Sequence, residues 1–346
     1  MRAFDYASPT KKEQVSDLLA GSWGQVEVLA GGTDLLSLMK DEITAPRRLV
    51  NIKGIAELHG VRAGKDELII GALTTLSEIA ENGNVKESYP VLSAAAGDAA
   101  SPQIRNLATL GGNLCQRPRC WYFRTGYGLL AQGKDGKSLV LQGDNRYHAI
   151  LGNDGPAYFV SPSTIAPVLI AYGATVRILG PRGTREIPLE KFFVIPKSDQ
   201  EREHNLQPNE FVSEIVLPGR RPPGLRVGHY EVRQKEAFDW PYATAAVALY
   251  MNGSTVTKAR IVLGHVAPVP WVSAEAAQTL AGKAVTPATA DQAAQAAVSG
   301  ARSLGHNSQK IQLARVAVKR AVLAAAGSAE NARAAVARDG ARGGAA

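Results

Sequence analysis

Two glycine segments decide the fold of this chain: Leu29-Ala30-Gly31-Gly32-Thr33-Asp34-Leu35-Leu36 and Ala108-Thr109-Leu110-Gly111-Gly112-Asn113-Leu114. Glycine permits positive φ and has no Cβ to block the approach of a ligand. Each segment is predicted to be a turn with uncovered backbone N–H groups, which form a concave site for an anion. A helix predicted to begin at Asp34 would add its dipole to the first site. Either segment alone is more typical of an ordinary turn, but two facing turns could hold both phosphates of a dinucleotide, which indicates redox chemistry.

Neither segment carries the Rossmann fingerprint. That motif needs Gly-x-Gly-x-x-Gly between a strand and a helix, whereas the glycines here are adjacent. The sequence also lacks the Gly-x-Ser-x-Gly motif of serine hydrolases and the phosphate-binding loop of nucleoside triphosphatases. A nicotinamide-binding Rossmann domain and both of these enzyme classes are therefore disfavoured.

Composition sets the broad class of the protein. The chain has 346 residues, 45% of them hydrophobic and 20% charged, which is typical of a globular protein of two or three domains. The net charge is +8, and the basic residues are scattered along the chain. Their densest group is Arg117, Arg119 and Arg124. That group suits an anionic cofactor or an acidic partner, and no nucleic-acid-binding motif accompanies it.

The sequence also bears on location. No apolar run is long enough to span a membrane, and the first residues lack the apolar core of a signal peptide. Two cysteines exclude a disulfide scaffold. We therefore expect a cytoplasmic protein, with export alongside a signal-bearing partner as the alternative.

Apolar periodicity and turn residues predict the order of elements. Strands are predicted at 26–29, 49–52, 68–73 and 157–160, a hairpin at 175–179 and 185–189, and an antiparallel meander at 226–233, 242–251 and 258–266. Helices are predicted at 9–20, from Thr75, at 89–96 with Gly97 as its stop, from Ser161 with Pro162 in its first turn, and at 273–282, 286–299 and 308–326. The stretches 101–113 and 125–147 are predicted to be mostly loop, and the Pro/Gly cluster at 217–224 a linker.

Three motifs resemble those of one family: Ala30-Gly31-Gly32-Thr33-Asp34-Leu35, Thr109-Leu110-Gly111-Gly112-Asn113 and Gln116-Arg117-Pro118-Arg119-Cys120-Trp121-Tyr122-Phe123. They resemble the flavin subunit of the molybdenum hydroxylases, which include xanthine dehydrogenase, aldehyde oxidoreductases and the medium subunit of carbon monoxide dehydrogenase. Val262-Leu263-Gly264-His265-Val266-Ala267-Pro268 resembles a strand of the family's last domain. The similarity extends to about residue 325 and is closest to the periplasmic aldehyde oxidoreductase branch.

The resemblance implies an α+β protein with an FAD-binding fold of the vanillyl-alcohol-oxidase (PCMH) type. It implies an FAD-binding domain at 1–220, in two subdomains at about 1–55 and 56–220. A smaller domain with an antiparallel sheet and helices would follow at 225–326, and a flexible tail at 327–346.

The same resemblance implies bound FAD and a set of contacts to it. The segment from Ser161 to Pro167 would lie at the adenosine end, with Thr164 where the family usually has an aspartate. Trp240 would lie on the segment that approaches the flavin. The predicted cofactor-binding residues are Leu29, Ala30, Gly31, Gly32, Thr33, Asp34, Leu35, Ser101, Ile104, Thr109, Gly112, Asn113, Gln116, Arg117, Thr164 and Trp240. No side chain is predicted to be catalytic, since the flavin carries the chemistry.

The cysteines argue against a metal cluster. The aldehyde oxidoreductase branch holds a four-iron cluster in this subunit on four cysteines, and Cys120 matches the first of them. The following loop, 125–143, has no cysteine, and a cubane cluster needs four thiolates or close substitutes. We therefore expect no iron–sulfur cluster and no metal. Free buried thiols, a Cys115–Cys120 disulfide and a zinc site on Cys115, Cys120 and His148 are the alternatives for these residues.

The same resemblance implies that the chain is one subunit of a complex that transfers electrons. Iron–sulfur centres of a partner would reduce FAD, which would pass electrons to NAD, oxygen or a quinone. The implied partners are a large molybdenum-cofactor subunit and a small [2Fe–2S] subunit. A stand-alone FAD oxidoreductase and a non-catalytic assembly subunit are the alternatives. Arg117 and Arg119 would donate to flavin or phosphate oxygens, or form salt bridges at a subunit contact.

Overall fold

The computed structural model describes residues 1–219, 221–234 and 238–327. The strands are β1 Asp5–Ala7, β2 Val26–Leu29, β3 Arg48–Asn51, β4 Val61–Ala63, β5 Glu67–Gly71, β6 Thr175–Gly180, β7 Gly183–Pro188, β8 Phe211–Pro218, β9 Leu225–Val232, β10 Ala243–Asn252, β11 Thr255–Gly264 and β12 Trp271–Val272. The helices are α1 Glu13–Leu18, α2 Leu35–Lys40, α3 Leu76–Glu81, α4 Gly83–Ser88, α5 Pro90–Asp98, α6 Pro102–Arg105, α7 Leu110–Cys115, α8 Trp121–Arg124, α9 Leu139–Gln142, α10 Ala166–Ala171, α11 Ala274–Leu280, α12 Pro287–Ala297 and α13 Gln309–Ala326.

The first sheet carries the first glycine segment. It has three strands in the order β1-β3-β2, and both pairs are parallel. Apolar residues of β3, such as Leu49 and Val50, are fully buried. The segment Ala30–Asp34 joins the carboxyl end of β2 to α2, where the loops of a parallel sheet usually form binding sites.

The second sheet has five antiparallel strands in the order β4-β5-β8-β6-β7. The predicted hairpin is confirmed, since β6 pairs with β7 over Thr175–Gly180 and Gly183–Pro188. The predicted cap is confirmed as well. Thr75 and Glu78 form a reciprocal capping box at the start of α3, which satisfies two backbone N–H groups.

The third sheet has the order β12-β11-β10-β9 and is covered by α11, α12 and α13. The predicted meander and the three predicted helices are confirmed within a few residues at each end. The alanine-rich face of α13 is buried against β9 and β10, with Ala314, Ala317 and Ala321 at zero exposure. Gly228 in β9 is required by this close packing, because a Cβ there would lie 2.5 Å from the backbone nitrogen of Ala325.

Two predicted loops are wrong in part. The stretch 101–113 contains α6 and the first residues of α7, so the second glycine segment begins a helix. Thr109 is its N-cap, and its hydroxyl accepts a hydrogen bond from the N–H of Gly112. The stretch 125–147 contains α9 and the buried Leu130 and Val140, so part of it forms core rather than surface.

Three local predictions near residues 89–171 also need correction. The described residues 157–160 form no strand, although Ala157 and Phe159 alternate inward. The next helix begins at Ala166 rather than after Ser161, because the Ser163 hydroxyl accepts from the Ala166 N–H. Gly97 lies inside α5 instead of ending it.

Parts of the predicted linker and tail lie outside the described residues, namely Arg220 and residues 328–346. The predicted domain limits stay predictions. Among the helices of the described ranges, none combines the length and the apolar character needed to cross a membrane.

Candidate functional site

A cavity of about 1170 Å³ lies against both glycine segments. Its wall combines residues of the first parallel sheet, the second glycine segment, the 199–212 segment and the strap 238–241 of the C-terminal region. Every residue predicted to bind a cofactor lines this cavity, with the single exception of Leu29. The predicted residues therefore lie on one continuous surface, of which they form a part.

Leu29 does not line the cavity. Its side chain is 7% exposed and packs with Met39 and Leu49 in a small apolar cluster. Its neighbours Val28 and Ala30 line the cavity, whereas Leu29 packs into the core.

The first glycine segment offers free donors to the cavity. The backbone N–H groups of Gly31, Gly32, Thr33 and Asp34 donate to no group in the part of the chain that the structure describes. Gly32 has φ +76°, a conformation that side-chain-bearing residues rarely adopt. Consecutive N–H groups of this kind, at the start of α2, form an anion-binding surface.

The second glycine segment differs from the prediction, because the backbone N–H groups of its two glycines are already used. Leu110 donates to the Thr74 carbonyl, Gly111 to the Ala72 carbonyl and Gly112 to the Thr109 hydroxyl. Gly111 serves packing, since a Cβ there would lie 2.9 Å from the Cβ of Ala72. The two glycines of this segment therefore offer no uncovered N–H group to a ligand.

Asn113 and Thr109 are the side chains that this segment brings to the cavity. The Ser163 hydroxyl donates to Asn113 Oδ1 over 2.7 Å, which fixes the amide and leaves its NH₂ group as the donor. Thr164 follows Ser163, lines the same cavity and is 7% exposed. The resemblance implies a carboxylate at this position, and the Thr164 hydroxyl that is present instead carries no charge.

The Asp34 carboxylate lines the cavity and binds three groups of this chain. Its Oδ2 accepts from the Arg117 backbone N–H over 2.8 Å. Its Oδ1 pairs with Nη1 of Arg119 and with Nη2 of Arg124, each over 2.8 Å. Arg117 is in turn engaged by Glu203, with 2.8 Å between Nε and Oε1. The basic cluster therefore forms salt bridges within this chain.

Gln116 also forms local contacts. Its Nε2 donates to the Asn113 carbonyl over 2.9 Å, and its Oε1 accepts from Arg119 over 3.1 Å. Both residues line the cavity, so Gln116 supports the wall around Asn113.

The C-terminal strap closes part of the cavity. The guanidinium carbon of Arg119 lies 4.3 Å from the ring centroid of Trp240, a cation–π contact. Phe238 and Trp240 line the cavity and are 56% and 44% exposed. Ser101 and Ile104 contribute to the same wall, where the Ser101 hydroxyl caps α6 by accepting from the Ile104 N–H.

A further group of cavity residues was missed by the sequence analysis. Arg202 stacks over Trp23 at 4.8 Å and donates to Glu27 over 3.0 Å. Burial raises the pKa of Glu27 to about 7 and lowers the pKa of His204 to about 4. A charged residue between two valines of β2 was the available signal for Glu27. Arg202 and His204 lie in a polar stretch of sequence that shows no motif or periodicity, so no sequence signal pointed to them.

The cysteines are free thiols in this structure. Cys120 Sγ lies 3.1 Å from His148 Nε2 in the buried core, and burial raises the pKa of both thiols, that of Cys115 to about 12. No group of three or more His, Cys, Asp or Glu side chains in the described ranges is arranged to hold a metal ion. The disulfide and the three-ligand zinc site are therefore both absent from the described residues.

The donor set of the cavity fits a phosphate-bearing dinucleotide. Four consecutive N–H groups lack a partner among the described residues, and the adjacent charged residues Asp34, Arg117, Arg119, Arg124 and Glu203 carry a net charge of +1. A cavity of about 1170 Å³ lined by apolar residues and a few polar groups suits the two ring systems of such a ligand.

Comparison with known proteins identifies two parts of the chain. Residues 2–220 match the sequence profile of the FAD-binding domain in molybdopterin dehydrogenase, and residues 228–325 match the CO dehydrogenase flavoprotein C-terminal domain. The aldehyde oxidoreductase FAD-binding subunit of Escherichia coli (strain K12) is 33% identical over 78% of this chain and 84% of its own length. The carbon monoxide dehydrogenase medium chain of Hydrogenophaga pseudoflava is 30% identical over 93% of this chain and 96% of its own.

Solved structures agree with these matches. A carbon monoxide dehydrogenase structure from Hydrogenophaga pseudoflava superposes with a TM-score of 0.73 and 29% identity, covering 94% of this chain and 97% of that one. Quinoline 2-oxidoreductase from Pseudomonas putida 86 gives a TM-score of 0.72 at 25% identity, with the same coverage of both chains. The predicted α+β fold and the predicted cofactor, FAD, are confirmed by these matches. The chain therefore belongs to the molybdenum hydroxylase family, as one of its FAD-binding oxidoreductase subunits.

Proposed function

We propose that this chain is the electron-transfer subunit of a molybdenum-containing hydroxylase or dehydrogenase that oxidises an aldehyde or an N-heterocycle. When bound, FAD would supply the redox chemistry, accepting electrons from iron–sulfur centres of a partner and passing them to an external acceptor. The observation that carries this proposal is the cavity with four unpartnered N–H groups in a chain of this family.

The residues of this chain would bind and orient the cofactor. The N–H groups of Gly31, Gly32 and Thr33 would hold the pyrophosphate, with Thr109 and the Asn113 amide as side-chain donors from the opposite wall. Charge-assisted hydrogen bonds of this kind are the stronger ones in proteins. Ser101, Ile104, Thr164 and Trp240 would contact the remaining parts of the molecule.

The partners we propose are a large molybdenum-cofactor subunit and a small [2Fe–2S] subunit. Relatives of this chain are described as medium chains or subunits, including that of nicotine 6-hydroxylase from Paenarthrobacter nicotinovorans, which is 26% identical. With two cysteines in the sequence, an iron–sulfur relay must be supplied from outside this chain. We keep the cytoplasm as the expected compartment, with co-export beside a signal-bearing partner as the alternative.

Flavin bleaching tests the proposed role. The purified chain is loaded with FAD and mixed anaerobically with a panel of aldehydes and N-heterocycles. The test is made first with the chain alone and then with the chain co-expressed with a large molybdenum-cofactor subunit and a small [2Fe–2S] subunit. We expect the flavin absorbance near 450 nm to fall only in the assembled complex. Bleaching by substrate in the isolated chain would support a stand-alone oxidoreductase, and no bleaching in a complex that does oxidise substrate would support an assembly role.

A further inference from the structure

The carboxylate of Asp34 has its hydrogen-bonding capacity taken up by one neighbouring segment. Asp34 lies at the end of the first glycine segment and is 15% exposed at its side chain. Its three donors, the Arg117 N–H and the guanidinium groups of Arg119 and Arg124, all come from residues 117–124 and all lie at 2.8 Å. The contact therefore joins the first glycine segment to the region that follows the second.

Arg119 extends this connection to the C-terminal strap. Its Nη1 pairs with Asp34, while its guanidinium carbon lies 4.3 Å from the centre of the Trp240 ring. Burial lowers the pKa of Arg119 only to about 10, so the guanidinium stays charged at neutral pH. A cation held in place on one side by a carboxylate can hold an aromatic ring on the other. Asp34 thus contacts Arg119, and Arg119 contacts Trp240, along the cavity wall. We call this series of contacts the relay.

Charge also argues against Asp34 as a direct phosphate ligand. A carboxylate accepts hydrogen bonds and cannot donate them to a phosphate oxygen. Left unpaired beside the free N–H groups of residues 31–34, it would repel the anion that these groups are arranged to bind. Pairing with Arg119 and Arg124 removes that repulsion and leaves the surroundings positive.

We propose that Asp34 is a positioning residue, which anchors Arg119 so that Arg119 holds Trp240 and the strap 238–241 against the cavity. The first glycine segment and the C-terminal region then bind the cofactor as one preformed surface. This inference rests on the proposed function, because it takes FAD as the ligand of the cavity.

A double-mutant cycle on FAD affinity tests the relay. Asp34→Asn, Trp240→Leu and the double variant are titrated with FAD and compared with the wild type by flavin fluorescence. Loss of a partly buried cation–π contact should weaken binding about tenfold. The relay predicts that the double variant binds no more weakly than Asp34→Asn alone. If the double variant binds FAD about a hundredfold more weakly than the wild type, which is the product of the two single effects, the relay is overturned.

A second measurement judges the relay without any cofactor. Iodide quenching of Trp240 fluorescence in the FAD-free protein is obtained as the difference between each protein and the same protein with Trp240→Phe. Asp34→Asn and Arg119→Met should both raise this quenching at least twofold. Lys258→Met, which removes a cation–π contact to Tyr250 outside the cavity, should leave it unchanged. Unchanged quenching in both test variants would overturn the relay, whereas a wild type that takes up no FAD would overturn the proposed function alone.

Discussion

Gly31 lies directly against the backbone that leads into the second glycine segment, and Gly31→Ala is the sharpest perturbation of the site. A Cβ at residue 31 would lie 2.8 Å from the carbonyl carbon of Leu107 and still closer to its oxygen, with Ala108 Cα at 3.4 Å. Carbon atoms pack best at about 3.5–4.0 Å, so the two backbones must separate by roughly 1 Å. All three contact atoms belong to the backbone, so none is part of a flexible side chain that could move aside.

The magnitude follows from what a displacement of that size disrupts. Overpacking of this kind costs about 1–3 kcal/mol of folding stability. A shift of 1 Å also moves the N–H groups of residues 31–34 relative to Thr109 and Asn113. Losing one hydrogen bond to a charged group costs about 1.5–3 kcal/mol, which corresponds to roughly a ten- to hundredfold rise in the Kd for FAD.

Gly54→Ala is the matched control. A Cβ at residue 54 would meet nothing within 4 Å, its φ is not positive, and it does not line the cavity. Both variants are titrated with FAD by flavin fluorescence, and the unfolding of the FAD-free proteins is followed by calorimetry. If Gly31→Ala binds FAD as tightly as Gly54→Ala, then the two segments do not hold the cofactor between them and our placement of the site is wrong.

Four further outcomes are expected. Gly32→Ala should weaken FAD binding, because the φ of +76° at residue 32 disfavours any residue with a Cβ by about 1–2 kcal/mol. A variant that binds FAD as tightly as the wild type in a titration would contradict this. Thr75→Ala should lower the free energy of unfolding by about 1 kcal/mol through loss of the capping box at α3, which a denaturant titration measures. Burial lowers the pKa of Lys310 from 10.5 to about 7, so between these values the unfolded chain binds the extra proton and stability rises with pH. Lys310→Met should remove that rise in denaturant titrations at about pH 7 and 9.5, and a wild type and variant with parallel pH curves would refute the assignment. Cys120→Ser should leave the flavin and iron contents of the purified protein unchanged, and iron lost with the thiol would show a metal site.

The sequence predicted the first glycine segment well because its conformation is local. An apolar strand, a glycine with positive φ and a helix start are consecutive, and each depends on residues close in the chain. The alternation within β2 even predicts that Leu29 and Val28 face opposite sides, although the prediction placed Leu29 in the site. The meander of the C-terminal sheet was predictable for the same reason, since Asn252-Gly253 defines a tight hairpin.

The second glycine segment was misjudged because its partners are distant. The acceptors for the N–H groups of Leu110 and Gly111 lie at residues 74 and 72, a pairing that no local pattern reveals. Asp34 raises the same difficulty, since its arginines are more than 80 residues away. Trp23, Glu27 and Arg202 meet in the cavity only through the tertiary fold, so the sequence offered little sign of their shared site.

The visible absorption spectrum of the purified chain, with flavin and iron analysis of the same sample, tests the central claim most directly. We predict flavin bands near 370 and 450 nm, about one FAD per chain, and no iron. A colourless protein that takes up no added FAD would contradict the claim that this cavity binds the cofactor through which the subunit transfers electrons.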